Sequence, residues 1–426
     1  MTLTPTSPTS AGVSAATAAC CTEYAGMSRR GLFRGVALAG ATAVVGSAVV
    51  TAAPARAASA DSVLVVLSLR GAADGLSMVV PHGDPVYYAA RPRIAIPSDR
   101  LLAKDGMFGL HPKMAPLLPM WNAGRIAAVQ ATGLPVANRS HFSAMEELED
   151  ADPGSSTRQG WLNRLVGQLP GESPLQAFSI GGGVLPASMY GNADVMSAAD
   201  VESMKIPGDD QYDKNGGRVS SLHTLWDDHD GPLGKAMRSA FTAVKEFAPV
   251  TRTNDGVAAY PRTDLGRALS EVARIIRGDV GVEVLTVDQG DWDHHSDLGT
   301  AEWGRMNRNV EDLAGSLAAF FGDLGSQASK VTVVTISEFG RRVKENANFG
   351  LDHGYGNVML VAGAGVKGGT YYGRWPGLAN ETDADLLVTT DYRSVLSEVV
   401  STRFGASTAQ VFPAFSPTSV GVMSAV

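Results

Sequence analysis

Two short stretches of this 426-residue chain bring carboxylates and imidazoles close together, and a third sets an imidazole beside a serine hydroxyl and a guanidinium. The densest is Asp291-Trp292-Asp293-His294-His295, where Asp293 and His295, two apart on a loop, can point at one cation. The second is Asp352-His353-Gly354, where the glycine allows a ligand to come close to the backbone. The third is Arg139-Ser140-His141. Two lone carboxylates, Asp74 and Glu338, follow apolar runs, and Asp288 closes another. Carboxylate with imidazole suits zinc, manganese or iron, and oxygen-only subsets suit magnesium or calcium. If Ser140 opens a helix, the helix N-terminus favours an anion such as phosphate or sulfate. A serine there serves as a nucleophile where a metal lowers its pKa. The same residues also have plain structural readings. The aspartates can be turn formers, Ser140 an N-cap, and Glu338 a partner of Arg341 or Arg342. His82 and His111, in Pro-flanked loops, read as structural.

The elements that must position these residues are legible from periodicity. Ser62–Leu69 is an apolar run stopped by Gly71, which reads as a buried parallel strand. Met114–Ala123 reads as a helix ending at Gly124, and Arg125–Gly133 as a second strand. A helix opens at Arg139–Phe142, another covers Trp161–Leu169, and Leu175–Ile180 is a short strand. Stretch 196–260 is acid-rich, with one helix near Leu233–Phe247, and reads as an insertion or lobe. The pattern then resumes with a helix at Asp264–Arg277, a strand at Val282–Val287, an amphipathic helix at Trp303–Leu324, strands at Lys330–Ile336 and Val358–Gly363, and a last helix at Val395–Phe404. Strands alternating with helices predict an α/β domain. In an open parallel sheet, the loops after the strands' carboxyl ends gather ligands, so residues distant in sequence converge there.

Ser28-Arg29-Arg30-Gly31-Leu32-Phe33-Arg34, the apolar run Gly35–Ala53 and Ala55-Arg56-Ala57 have the anatomy of a twin-arginine export signal cut after Ala57. The run is long enough for a membrane anchor, but its Ala, Gly and Val content and its small-residue end favour cleavage. The expected product spans 58–426, is secreted or periplasmic, and keeps no membrane anchor. Both cysteines, Cys20 and Cys21, precede the cut, so disulfides, thiolate nucleophiles and zinc-thiolate sites are excluded from it. Cleavage removes four of 35 basic and one of 43 acidic residues, taking the net charge from −8 to −11. Without a basic cluster, nucleic-acid binding is not expected.

Seven motifs stand in order: Leu69–Leu76, Gly109-Leu110-His111-Pro112, Asn138–Phe142, Trp292-Asp293-His294-His295, Ser337–Arg341, Asp352-His353-Gly354 and Thr390-Asp391-Tyr392-Arg393. Together they resemble the exported bacterial family catalogued as domain of unknown function 1501, within the alkaline-phosphatase-like superfamily of phosphatases and sulfatases, over roughly residues 60–410. The resemblance implies a three-layer α/β/α sandwich around a mostly parallel sheet, with a two-metal centre beyond the strand ends. It implies that Asp74 holds one metal, that Asp293 and His295 hold the other, and that His353 adds a further ligand. Glu338 and Asp352 complete the expected metal set. Ser140 matches the nucleophile, with Arg139 and His141 beside it as catalytic candidates, and Arg139 or Arg341 as stabilisers of transition-state charge. The sequence departs from the superfamily where Phe339, which cannot ligate, follows Glu338. The expectation is an exported hydrolase of small or polymeric phosphate or sulfate esters using a divalent metal (Zn, Mn, Mg or Ca). The alternative is an exported metal- or ligand-binding protein that keeps the fold without the chemistry.

Overall fold

The computed structural model describes residues 59–171, 173–181, 185–206, 213 and 215–424, together with the backbone of two strands at 42–45 and 48–51. The Arg29-Arg30 pair and the Ala55–Ala57 cleavage site of the expected export signal lie outside the described residues. No helix among the described residues is long and apolar enough to cross a membrane.

The centre of the molecule is an 11-stranded sheet. Its main strands are β1 (Val63–Leu69), β2 (Ile126–Gly133), β3 (Ala177–Ile180), β4 (Met196–Ala198), β5 (Val284–Gln289), β6 (Val331–Ile336), β7 (Asn357–Gly363) and β8 (Tyr371–Tyr372). They lie in the order β4-β3-β5-β1-β6-β7-β2-β8. A hairpin of Thr42–Val45 and Ala48–Thr51 pairs along β4, and Thr390–Asp391 pairs with β2. β4, β3, β5, β1 and β6 run parallel. β7 runs antiparallel to both β6 and β2.

β1 shows why the sheet is central. It is buried along its whole length, and its β-branched and leucine side chains alternate between two apolar clusters. Val63, Val65, Leu67 and Leu69 join one; Leu64 and Val66 join the other. This is the period-2 arrangement of a strand covered on both faces. Helices α3 (Pro232–Thr251), α4 (Asp264–Gly278) and α5 (Arg305–Leu324) bury Phe247, Leu269 and Leu313 in the first cluster. Helices α1 (His141–Asp150), α2 (Trp161–Val166) and α6 (Tyr392–Phe404) bury Leu148, Leu165 and Val399 in the second. The result is the expected three-layer α/β architecture with a mostly parallel sheet. Stretch 196–260, read from sequence as an insertion or lobe, is attached to the central sheet and core. Its first residues are strand β4 of the central sheet, and α3 packs into the main core.

The chain leaves β1 through Gly71 at φ +108 and Ala72 at φ 58. A Cβ on Gly71 would lie 2.7 Å from the main-chain nitrogen of Asp293. Only glycine combines this left-handed conformation with so close an approach. Gly71→Ala is expected to destabilise the fold by about 1–3 kcal/mol through overpacking. Denaturant titration checks this, and an unchanged midpoint would contradict it.

Candidate metal centre

β5, β1 and β6 are adjacent and parallel, so the loops that follow them open on one edge of the sheet. These loops carry Asp293, Asp74 and Glu338. Because β7 is antiparallel, the segment entering it begins on that same edge and delivers His353. His141 arrives as the first residue of α1. His141 and His353, 212 residues apart in sequence, are thereby brought to ring-nitrogen contact.

Three imidazoles turn their Nε2 atoms inward. His353 Nε2 lies 3.1 Å from His141 Nε2 and 3.0 Å from His295 Nε2. Asp293 Oδ1 lies 3.1 Å from His295 Nε2, 3.5 Å from His353 Nε2 and 3.7 Å from His141 Nε2. Ligand atoms of His141, Asp293 and His353 all fall within 4.8 Å of one another, so the three could hold a metal ion. Each ring is gripped from behind through Nδ1. His141 Nδ1 lies 2.9 Å from Glu338 Oε1, His295 Nδ1 is 3.2 Å from Asp352 Oδ1, and His353 Nδ1 is 2.9 Å from the Arg139 carbonyl. These acceptors place a proton on each Nδ1, so the lone pair of each neutral ring is at Nε2, where a protonated ring instead donates to Asp293. Neighbouring lone pairs at 3.0–3.1 Å repel one another unless a proton or cation sits among them. An imidazole backed by a carboxylate or carbonyl is the usual arrangement of a metal-ligating histidine. The donor set therefore fits a divalent ion.

The electrostatics agree. Burial by itself would raise the pKa of Asp293, but hydrogen bonds from His141, His295 and His353 and the Arg341 charge hold it far below the usual carboxylate range. Burial lowers the pKa of His141, but its bonds to Asp293 and Glu338 outweigh this and raise it to about 9. His295 is raised chiefly by its bond to Asp293. Burial pushes Glu338 up, yet the His141 bond and backbone N–H donors bring it below its ordinary value.

The structure brings together Asp293, His295, His353 and His141 from the residues singled out by sequence. His141, expected beside the nucleophile, stands among the ligand candidates. Glu338 and Asp352, expected as ligands, stand behind His141 and His295. Glu338 also accepts from the Gly71 N–H at 2.8 Å, so its Oε1 is already shared by two donors. Asp74 does not join the cluster. Its Oδ2 and Oδ1 accept from Arg91 at 2.6 and 3.0 Å, and both side chains are at most 1 % exposed. Arg341, read as a possible stabiliser of substrate charge, is fully buried and binds backbone carbonyls and Asp293. Arg139 pairs with Asp385. Ser140 is the N-cap of α1, and its side chain makes no capping bond. Asp288 pairs with Arg70, and Asp291 with Arg305. Phe339 packs its ring 5.0 Å from His141 and 4.9 Å from His353, centroid to centroid, walling the cluster. A cleft of about 440 Å³ adjoins the cluster, lined by His141, Glu338, Arg70, Phe142, Met145 and Glu149 among others. Arg91 was not legible as a site residue, because an arginine before a proline carries no sequence signal of burial.

Glu338→Gln keeps the shape behind His141 but removes the charge, and should weaken metal binding by about 10- to 100-fold. Competition with a chelating dye measures this; unchanged affinity would refute the arrangement. pH acts in two opposed ways. In metal-free protein, the stabilisation from charged His141 is complete below its ordinary 6.5 and disappears as pH rises through about 9. Metal must displace that proton, so its affinity climbs over the same window. The melting temperature of metal-free protein should fall from pH 6.5 to 9 while metal affinity increases.

No curated protein matches the chain. Solved structures similar to it include the following two. A protein in the alkaline phosphatase superfamily from Vibrio parahaemolyticus shares 14% identity at TM-score 0.30, covering 75% of this chain and 64% of that one. The lipoteichoic acid synthase LtaP from Listeria monocytogenes shares 8% identity at TM-score 0.29, covering 74% of this chain and 68% of that one. The chain thus spans under two thirds of the length of the Vibrio protein. At the level of sequence, residues 61–398 match a family described as "protein of unknown function (DUF1501)", and the chain belongs to that family.

Proposed function

We propose that this chain is an exported metal-dependent hydrolase of phosphate or sulfate esters. The observation that carries the reading is the meeting of three imidazole Nε2 atoms with Asp293 Oδ1 beside the start of α1. An imidazole-rich set of this kind favours zinc, manganese or iron over magnesium or calcium. A divalent ion bound there supplies Lewis-acid polarisation of an ester oxygen and lowers the pKa of a nearby hydroxyl or water.

The chain's own groups supply the rest. Ser140 is partly exposed and immediately precedes His141, so its hydroxyl is the nucleophile candidate. α1 is ten residues long, and the N–H groups of its first turn favour the anionic end of an ester. Phe339 keeps one side of the cluster apolar, and the adjoining cleft gives room for a leaving group. The twin-arginine signal and small-residue cut site support export of the folded chain by the twin-arginine machinery.

One observation favours the alternative of a metal-binding protein without turnover. The guanidiniums nearest the site are committed: Arg139 to Asp385, Arg70 to Glu149 and Asp288, and Arg341 to backbone. A substrate anion would have to compete for Arg139 or rely on α1 and the metal.

Metal-loaded protein assayed against aryl phosphates and aryl sulfates tests the proposal. Turnover is expected, with a loss of about 100-fold or more in Asp293→Asn, which removes a ligand charge. Ser140→Ala should abolish turnover while leaving metal content intact. Bound metal with no turnover on either ester class would favour the alternative. Turnover that survives Ser140→Ala would assign the attack to water.

A further inference from the structure

We infer that the centre holds a single divalent ion, and that a buried arginine fills the place of the second ion implied by the family resemblance. The inference rests on the assignment of His141, Asp293 and His353 as ligands, but not on any turnover. Asp74 is the carboxylate that a second ion would need. It sits just beyond β1, and both its oxygens already accept from the Arg91 guanidinium, Oδ2 at 2.6 Å and Oδ1 at 3.0 Å. Burial would raise its pKa, and Arg91 instead lowers it.

Among the described residues, Asp74 is the carboxylate hydrogen-bonded to Arg91, and Glu345 acts on its charge less strongly. Its remaining N–H bonds go to the Val343 carbonyl at 2.9 Å, the Arg342 carbonyl at 3.0 Å and Ser77 Oγ at 3.2 Å, all neutral acceptors. Turning Asp74 toward a metal would strand a fully buried cation, which is far costlier than leaving the pair intact. A second fixed charge stands on the other side. Arg341, 0 % exposed, holds Asp293 Oδ1 at 2.6 Å. A second dication placed between Asp293 and Asp74 would face both guanidiniums in a region from which water is largely excluded. Among the described residues, one group of three or more close ligand atoms is present, and it does not include Asp74.

The test is metal stoichiometry. Protein stripped with a chelator is titrated with Zn²⁺ and, separately, Mn²⁺. Bound metal is then counted by elemental analysis, and ion positions are read from anomalous scattering. One ion per chain, at His141, Asp293 and His353, is expected. Two ions per chain, with one on Asp74, would overturn the inference. The double variant Asp74→Asn with Arg91→Gln removes both charges together, so neither is left buried alone. Its metal affinity should change by less than about threefold, against the 10- to 100-fold loss expected of a residue that orients or binds the ion. A larger loss in a variant that still unfolds cooperatively would also overturn it. If that variant does not fold, the wild-type ion count decides. One ion without turnover leaves this inference standing and removes the hydrolase reading; two ions with turnover does the reverse.

Discussion

The geometry of the site depends on the Arg341 guanidinium. It is completely buried, and it donates to the carbonyls of Gly71, Ala72, Trp292 and Leu351 and to Asp293 Oδ1. Those partners belong to the turn after β1, the loop after β5 and the approach to β7. A buried guanidinium must satisfy its donors or pay a large desolvation cost. Its fixed planar fork therefore dictates where three backbone segments run. The left-handed residues Gly71 and Ala72 present their carbonyls to it, which accounts for a positive φ at an alanine.

Glu338 completes the same junction from the opposite direction. Its carboxylate accepts from the Gly71 N–H and from His141 Nδ1, joining the turn after β1 to the start of α1. Ser337 accepts from the Ala73 N–H and donates to the Leu69 carbonyl. The short segment after β6 thus supplies an anion, a hydroxyl and, three residues on from the glutamate, a cation to the chain around β1. This explains why Phe339, between them, can be apolar without weakening the site: its neighbours face the polar junction while it packs against His141 and His353.

The balance of charge follows from burial. Among the described residues Asp293 is the carboxylate facing all three imidazoles, and their hydrogen bonds, with the Arg341 charge behind them, keep it ionised. Glu338 and Asp352 act through the rings they hold, so their negative charge reaches the centre as greater basicity at Nε2. Asp74 and Arg91 neutralise each other within the protein. The acidic character of the whole chain therefore says little about the centre, where each carboxylate has a particular partner.

Much of the scaffold was legible in the sequence. β1, β6 and β7 appear as apolar runs within one residue of their observed bounds, α4 as a helix and α5 as an amphipathic period, because burial on one or both faces imposes a period on side chains. β4 was missed: three residues are too few to show a period. Of the site, sequence singled out the residue types capable of binding a cation, and family resemblance supplied their grouping. It did not distinguish residues that face the centre from those that stand one bond behind. Asp293 and Glu338 are both acids at the ends of parallel strands, yet one turns toward the Nε2 atoms and the other toward an Nδ1. Nor did it foresee that Arg91 would claim Asp74 across 17 positions. Local sequence determined the elements and the chemical repertoire, because periodicity and functional groups are properties of the chain itself. Only the tertiary structure decided each group's role, because a role is set by which buried partner satisfies which atom, and those partners come from distant segments.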